Sequence, residues 1–215
     1  MDKVWLKNYP SGVPAEIDPG DYSSLRDMFA QSVRDFGPQP AYTNMGRTLS
    51  YADLDHESRN FGAWLQNKAG LGRGDRVAVM LPNILQYPVV IFGALRAGMT
   101  VVNTNPLYTA RELEHQLNDS GATVIVIVEN FAHVLSEIIA RTKVKHVILT
   151  GVGDLLGFPK SAIVNLVVRR VRKQVPPFNL PGAVRFRQAL REGARLELKN
   201  VDVEHEDIAF LQYTG

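Results

Sequence analysis

The sequence predicts an α/β fold, a mostly parallel sheet with helices on both faces, and three observations carry that expectation. Between residues 75 and 150, apolar runs of strand length alternate with stretches of helical periodicity. Parallel neighbours need a crossover and a helix supplies it, so this alternation is the mark of βαβ units. The runs Val77-Ala78-Val79-Met80 and Val124-Ile125-Val126-Ile127-Val128 lack polar alternation, as strands covered on both faces do. Finally, 215 residues with 45% hydrophobic and 21% charged content can bury a sizeable core, which excludes a disordered or collagen-like chain.

The elements follow in order. Residues 1–21, with Pro10, Gly12, Pro14, Pro19 and Gly20, form an N-terminal arm rather than a helix. Tyr22 to Phe36 places Leu25, Met28, Phe29, Val33 and Phe36 at helical spacing, and Gly37-Pro38 stops it. Ala41 to Asn44 and Thr48 to Tyr51 flank Met45-Gly46-Arg47 as a short hairpin, which runs into a helix from Ala52 to Lys68. Strand Asp75 to Leu81, helix Asn83 to Ala97, strand Thr100 to Asn103, helix Thr109 to Asn118 and strand Thr123 to Val128 come next. Asn130 is expected to cap a helix reaching about Thr142, and His146 to Thr150 is another strand. Residues 22–150 thus form the α/β body. Residues 151–207 read as a basic insertion with Pro176-Pro177 and Pro181 marking irregular chain, and 208–215 as a last buried strand, Ile208 to Tyr213, that enters a turn.

Charge is unevenly spread. The chain carries 24 basic and 22 acidic residues for a net of +2. From Leu155 to Arg191 there is no Asp or Glu, and the eight positive charges there leave the remainder at −6. Near-neutrality argues against nucleic acid as a partner. Within the insertion, Ser161 to Lys173 sets Ile163, Val164, Leu166, Val167, Val168 and Val171 beside Arg169, Arg170, Arg172 and Lys173. That is the pattern of an amphipathic helix with a cationic end, suited to an anionic membrane surface or to phosphates. The other reading packs the apolar positions on the fold and leaves the arginines solvated. Absence of cysteine rules out a disulfide framework, a thiolate nucleophile and cysteine-containing metal sites. No stretch reaches the roughly 18 to 20 apolar residues of a membrane span, and the chain is expected to be cytoplasmic.

Most candidate motifs reduce to structure. Thr109-Ala110-Arg111-Glu112 fits a capping box, and Asn105-Pro106 shapes the turn before it. Glu112 and His115 have E-x-x-H spacing but lack the further ligands a di-metal bundle needs. His56, His133, His146 and His205 show no ligand spacing, so no metal site is expected. The three glycines of Gly70 to Gly74 precede a strand, the wrong order for a dinucleotide fingerprint. The strand ending in Tyr213-Thr214-Gly215 is different, since a phosphate-cradling loop begins this way.

Three segments together give that ending its meaning. Leu49-Ser50-Tyr51-Ala52-Asp53-Leu54, Leu95 to Pro106 and Leu211-Gln212-Tyr213-Thr214-Gly215 resemble, in order and spacing, the first three core motifs of the adenylate-forming synthetases. Pro82-Asn83-Ile84-Leu85-Gln86-Tyr87-Pro88, Asn105 to Ala122 and the opening Val4-Trp5-Leu6 are similar to bacterial long-chain fatty acid-CoA ligases of the FadD type, and the likeness covers the whole chain. The resemblance implies the N-terminal subdomain of an acetyl-CoA synthetase-like large domain. It implies a two-step reaction in which fatty acid and Mg-ATP give an acyl-adenylate and coenzyme A then displaces AMP. It assigns Tyr213, Thr214 and Gly215 to the start of the ATP/AMP phosphate loop and no catalytic residue to this stretch, while the charge pattern itself makes Arg169, Arg170, Arg172 and Lys173 the candidates for membrane or CoA-phosphate contact.

In the family, further glycines, a lysine, a magnesium-handling acid and a mobile lid follow the loop. On this likeness the chain is an N-terminal part cut inside the ATP-binding motif, and is expected to be inactive alone and to self-associate or dimerise. The long-chain fatty acid, ATP and coenzyme A are then partners of the longer enzyme, at the inner face of a bacterial inner membrane. Two alternatives remain open on the residues: ligation of a medium-chain or aryl acid, and a non-catalytic membrane or interaction module.

Overall fold

A computed structural model describes residues 2–213. Helix α1 (Leu25–Phe36) starts where the Ser24 hydroxyl accepts from the Asp27 amide at 3.2 Å. Strands β1 (Pro40–Asn44) and β2 (Arg47–Ser50) pair antiparallel as the expected hairpin. Its turn uses Met45 and Gly46 at φ 48° and 72°, the left-handed geometry of tight hairpins. Ser50 closes a capping box with Asp53 at the start of α2 (Tyr51–Asn67).

The main sheet contains β3 (Arg76–Met80), β4 (Thr100–Asn103), β5 (Val124–Val128), β6 (His146–Thr150), β7 (Val184–Arg185) and β8 (Phe210–Gln212). Its order is β7-β6-β5-β3-β4-β8 and every pair is parallel. Helices α3 (Gln86–Arg96), α4 (Ala110–Ser120), α5 (Ala132–Ile138), α6 (Lys160–Leu166) and α7 (Phe186–Gly193) complete the fold.

Strand alternation explains the unbroken apolar runs. Val77, Val79, Val124, Val126 and Ile148 face a core built with α2, α3 and α7, while Ala78, Met80, Ile125, Ile127 and Leu149 face a second core under α4 and α5. Both faces are dry, so neither parity of position can be polar. Helices α2 and α3 approach closely enough that a Cβ on Gly62 would lie 2.7 Å from the Gly93 carbonyl oxygen. Against the other flank of α2, Phe186 packs on Phe61 at a tilt of 47° with centroids 5.5 Å apart.

Four expectations change. The stretch 151–207 is not an irregular insertion, because β7 and α7 extend the same sheet and core. Asn130 does not cap a helix: a 3-10 turn (Glu129–Phe131) comes first, α5 begins without a side-chain cap, and the helix ends by Ile138 before a second 3-10 turn (Ile139–Arg141). The last strand is three residues long and sits at the sheet edge, with Phe210 and Gln212 exposed, so it is not buried on both faces. The helix from 161 to 173 is α6 followed by a π turn (Val167–Val171).

Candidate functional site

In parallel sheets, ligand clefts form outside the carboxyl ends of the strands, where loops splay apart. Here the chain leaves β3 toward β4 and leaves β5 toward β6, so the direction of travel reverses between β3 and β5. On the β3-β4-β8 side of that reversal lies a cleft of about 470 Å³. Asn83 enters it from the β3–α3 connection and Tyr87 from the first turn of α3, Asn103 and Asn105 from the end of β4, and Gln212 and Tyr213 from the end of β8.

These side chains form a directed network. The Tyr87 hydroxyl donates to Asn103 Oδ1 at 2.9 Å, and Asn103 Nδ2 donates to Gln212 Oε1 at 2.9 Å. Donor capacity is thereby passed outward to the exposed Gln212 amide. Beneath, Gln116 Nε2 of α4 donates to the Asn103 carbonyl at 2.8 Å, while the buried Gln116 Oε1 has no hydrogen-bond partner. Helix α4 is held for this task by its capping box, in which Thr109 and Glu112 satisfy each other's backbone amides. Backbone bonding to Thr109 lowers the Glu112 pKa. Asn105 shapes the preceding turn as expected, its Oδ1 accepting from the Leu107 amide at 3.0 Å.

Tyr213 is fixed by a short bond, its hydroxyl donating to Asp119 Oδ2 at 2.5 Å. Burial, then the bond to Asp119, pushes its pKa up to about 12, so at neutral pH the phenol is a donor. Burial also raises the Tyr87 phenol. The lining therefore offers neutral amides and protonated phenols. Such groups bind and orient a polar ligand; they do not form a general acid and base pair poised near pH 7.

Of the residues singled out from sequence, Tyr213 lines the cleft, whereas Thr214 and Gly215 lie outside the described residues. Arg169, Arg170, Arg172 and Lys173 do not line it. Arg169 is bound to Glu129, just beyond β5: its Nε and a terminal guanidinium nitrogen donate to the two carboxylate oxygens at 2.6 and 2.8 Å, and Arg185 of β7 adds a bond at 3.2 Å. Arg170, Arg172 and Lys173 are exposed, with no ion pair among the described residues. Sequence reading did not single out Asn103, Gln212 or Tyr87 as site residues; the available signal was the place of Asn103 and Gln212 at the carboxyl ends of predicted parallel strands. Among the described residues no group of three or more His, Asp or Glu could hold a metal ion.

The model for AMP-binding enzymes matches residues 29–215. Long-chain-fatty-acid–CoA ligase of Escherichia coli O6:H1 is 56% identical over 215 residues, the whole of this chain and 38% of the relative. The Bacillus subtilis protein of the same name is 35% identical over 216 residues, with 99% and 38% covered. The chain thus spans 38% of the length of these curated relatives. A long-chain-fatty-acid-CoA ligase from Archaeoglobus fulgidus superposes with a TM-score of 0.63 at 24% identity, covering 96% of this chain and 37% of that one. An anthranilate CoA ligase in complex with anthranoyl-AMP gives 0.71 at 18% identity, covering 92% and 33%. These two likenesses establish the fold.

Proposed function

The chain belongs to the AMP-binding enzyme family, and from that premise we propose that it forms the N-terminal part of a long-chain fatty acid-CoA ligase. The reaction is activation of a fatty acid by ATP and transfer of the acyl group to coenzyme A. The observation that carries this reading is the placement of Tyr213 at the mouth of a polar cleft, at the end of a parallel strand and directly before Thr214-Gly215. In-line attack on a phosphate needs a cradle of amides and cations, and the cleft's described lining supplies neutral donors only. These residues do not fit magnesium, which takes oxygen ligands with one or two carboxylates. They suit the polar head of the acyl substrate.

The test is a chimera in which this chain replaces the 215 matched residues of the E. coli relative. Acyl-CoA formation from palmitate is the expected result; a folded, soluble chimera without activity would overturn the reading. The 215-residue chain alone is expected to give no fatty acid-dependent pyrophosphate exchange.

A membrane-facing role for the α6 segment is favoured by one observation. Phe158, Ile163, Leu166 and Val171 are 57% to 91% exposed and lie in sequence beside Arg170, Arg172 and Lys173, which form no ion pair among the described residues. Three such charges near an anionic leaflet contribute about 3 kcal/mol. Sedimentation with vesicles should therefore be stronger on anionic than on zwitterionic lipid and weaken with salt; equal, salt-independent partitioning would refute it. Exposed Ile208 and Phe210 at the edge strand β8 support self-association, which light scattering reads directly.

A further inference from the structure

Helix α4 carries three acids, Glu112, Glu114 and Asp119, and the fold itself accounts for two of them. Glu112 closes the capping box with Thr109, and Glu114 Oε2 accepts from Arg141 at 2.8 Å. Asp119 stands in the last turn, where the partial negative charge at the carboxyl end of a helix disfavours an acid. No basic residue lies in that turn, and Asp119 forms no ion pair among the described residues. Helix termination does not require it, because Gly121 ends α4 in the left-handed conformation at φ 66°. What Asp119 does hold is the Tyr213 hydroxyl, which donates to its Oδ2 at 2.5 Å.

That bond falls where β8 is weakest. Strand β8 is tied to the sheet on one side only, by the pairs of Phe210, Leu211 and Gln212 with Val101, Val102 and Asn103. Tyr213 lies one residue past this ladder, so its side chain must fix the backbone that pairing no longer holds. Leu211 and Tyr213 pack against the core under α4, which leaves the hydroxyl to fasten the residue at Asp119. An acid kept at an unfavourable helix position, and bound to the residue by which the chain leaves the sheet at the polar cleft, breaks a local rule for a task elsewhere. We propose that Asp119 is a positioning residue for nucleotide binding, holding Tyr213 in place for ATP. The role in ATP use rests on the ligase reading; the anchor does not.

The test is steady-state kinetics of the chimera carrying this chain, with KM measured separately for ATP, palmitate and coenzyme A. Asp119→Ala should raise KM for ATP about tenfold, the equivalent of one hydrogen bond to a charged group, and leave KM for coenzyme A within about twofold. Asp119→Asn keeps an acceptor oxygen and should restore KM for ATP to within about threefold of the parent. Tyr213→Phe should match Asp119→Ala, and the double variant should be no worse than either, since both remove the same bond. A purely structural Asp119 would lower the yield of folded enzyme and leave every KM unchanged. That result, an equal rise for all three substrates, or an Asn variant as impaired as the Ala variant would each overturn the proposal. Hydrogen exchange on the 215-residue chain reads the anchor without catalysis: Asp119→Ala should speed exchange of the β8 amides at least about tenfold while those of β3, β5 and β6 hold. Unchanged β8 exchange would overturn the proposal whether or not the chimera is active. An inactive parent chimera with faster β8 exchange in Asp119→Ala would instead defeat the ligase reading and leave the anchor standing.

Discussion

Replacing Arg169 by Met should cost more than replacing its partner Glu129 by Gln, although both changes break the same ion pair. The reason is unequal burial. Glu129 is 2% exposed, while Arg169 and Arg185 are 41% and 52% exposed. Arg169→Met removes the bonds at 2.6 and 2.8 Å and leaves the carboxylate with only the 3.2 Å bond from Arg185. Stranding a buried charge costs about 3 to 5 kcal/mol, and the surviving Arg185 bond places this case near 3. Glu129→Gln leaves a neutral amide in the buried position and two guanidinium groups that water can reach, so screening and resolvation hold its cost to about 1 kcal/mol. Urea unfolding of the single and double variants at pH 7 reads both values, and a coupling of about 2 kcal/mol is expected for residues in direct contact. A solvent-facing or lipid-facing Arg169 would show less than about 0.5 kcal/mol on replacement. The reasoning is refuted if Glu129→Gln is the more damaging change, or if Arg169→Met is neutral.

Three further outcomes are expected. Gly193→Ala would bring a Cβ to 1.9 Å from the Asn60 carbonyl oxygen and force α7 off α2, costing about 3 kcal/mol; an unchanged urea midpoint would contradict that packing. Burial raises the Glu57 pKa, so the fold favours the protonated form and loses stability as pH rises through the folded pKa; Glu57→Gln should stabilise at pH 7 and be neutral near pH 3, and no gain at pH 7 would refute this. Tyr213 should be the phenol that titrates near pH 12, its stabilising effect intact below pH 10 and lost as pH rises through 12; the absorbance step there should vanish in Tyr213→Phe, and its persistence would assign it elsewhere.

The strands β3 to β6 and the helices between them were legible because two-sided burial writes itself as unbroken apolar sequence. Helix α7 was also written in the chain, since Phe186, Ala189, Leu190 and Gly193 follow the i, i+3, i+4, i+7 spacing of a buried face. Its frame of charged neighbours and the run of prolines before it obscured that pattern. Strand β7 could not be read at all: two residues have no period, and only the ladder from Ile148 and Leu149 to Val184 and Arg185 makes them a strand. In the basic segment, composition shows the charge but not where each charge goes. A helical repeat cannot show that one of the four clustered cations, Arg169, meets a glutamate 40 residues earlier.

The cleft was hidden for a related reason. Asn83, Asn103 and Gln212 are ordinary polar residues at the ends of three apolar runs, and nothing local marks them as neighbours. They meet because parallel pairing puts every carboxyl end on one edge and because β8, last in sequence, pairs with β4 instead of extending the sheet beyond β7. The register of that pair sets Asn103 opposite Gln212, and a slip of one residue would turn the Gln212 side chain to the other face of the sheet. Tyr213 would move with it, away from Asp119. The Asn103–Gln212 and Tyr213–Asp119 bonds therefore lock the register of a three-residue edge strand that has little apolar burial of its own. Through that register, the edge strand sets where the chain leaves the sheet at Tyr213.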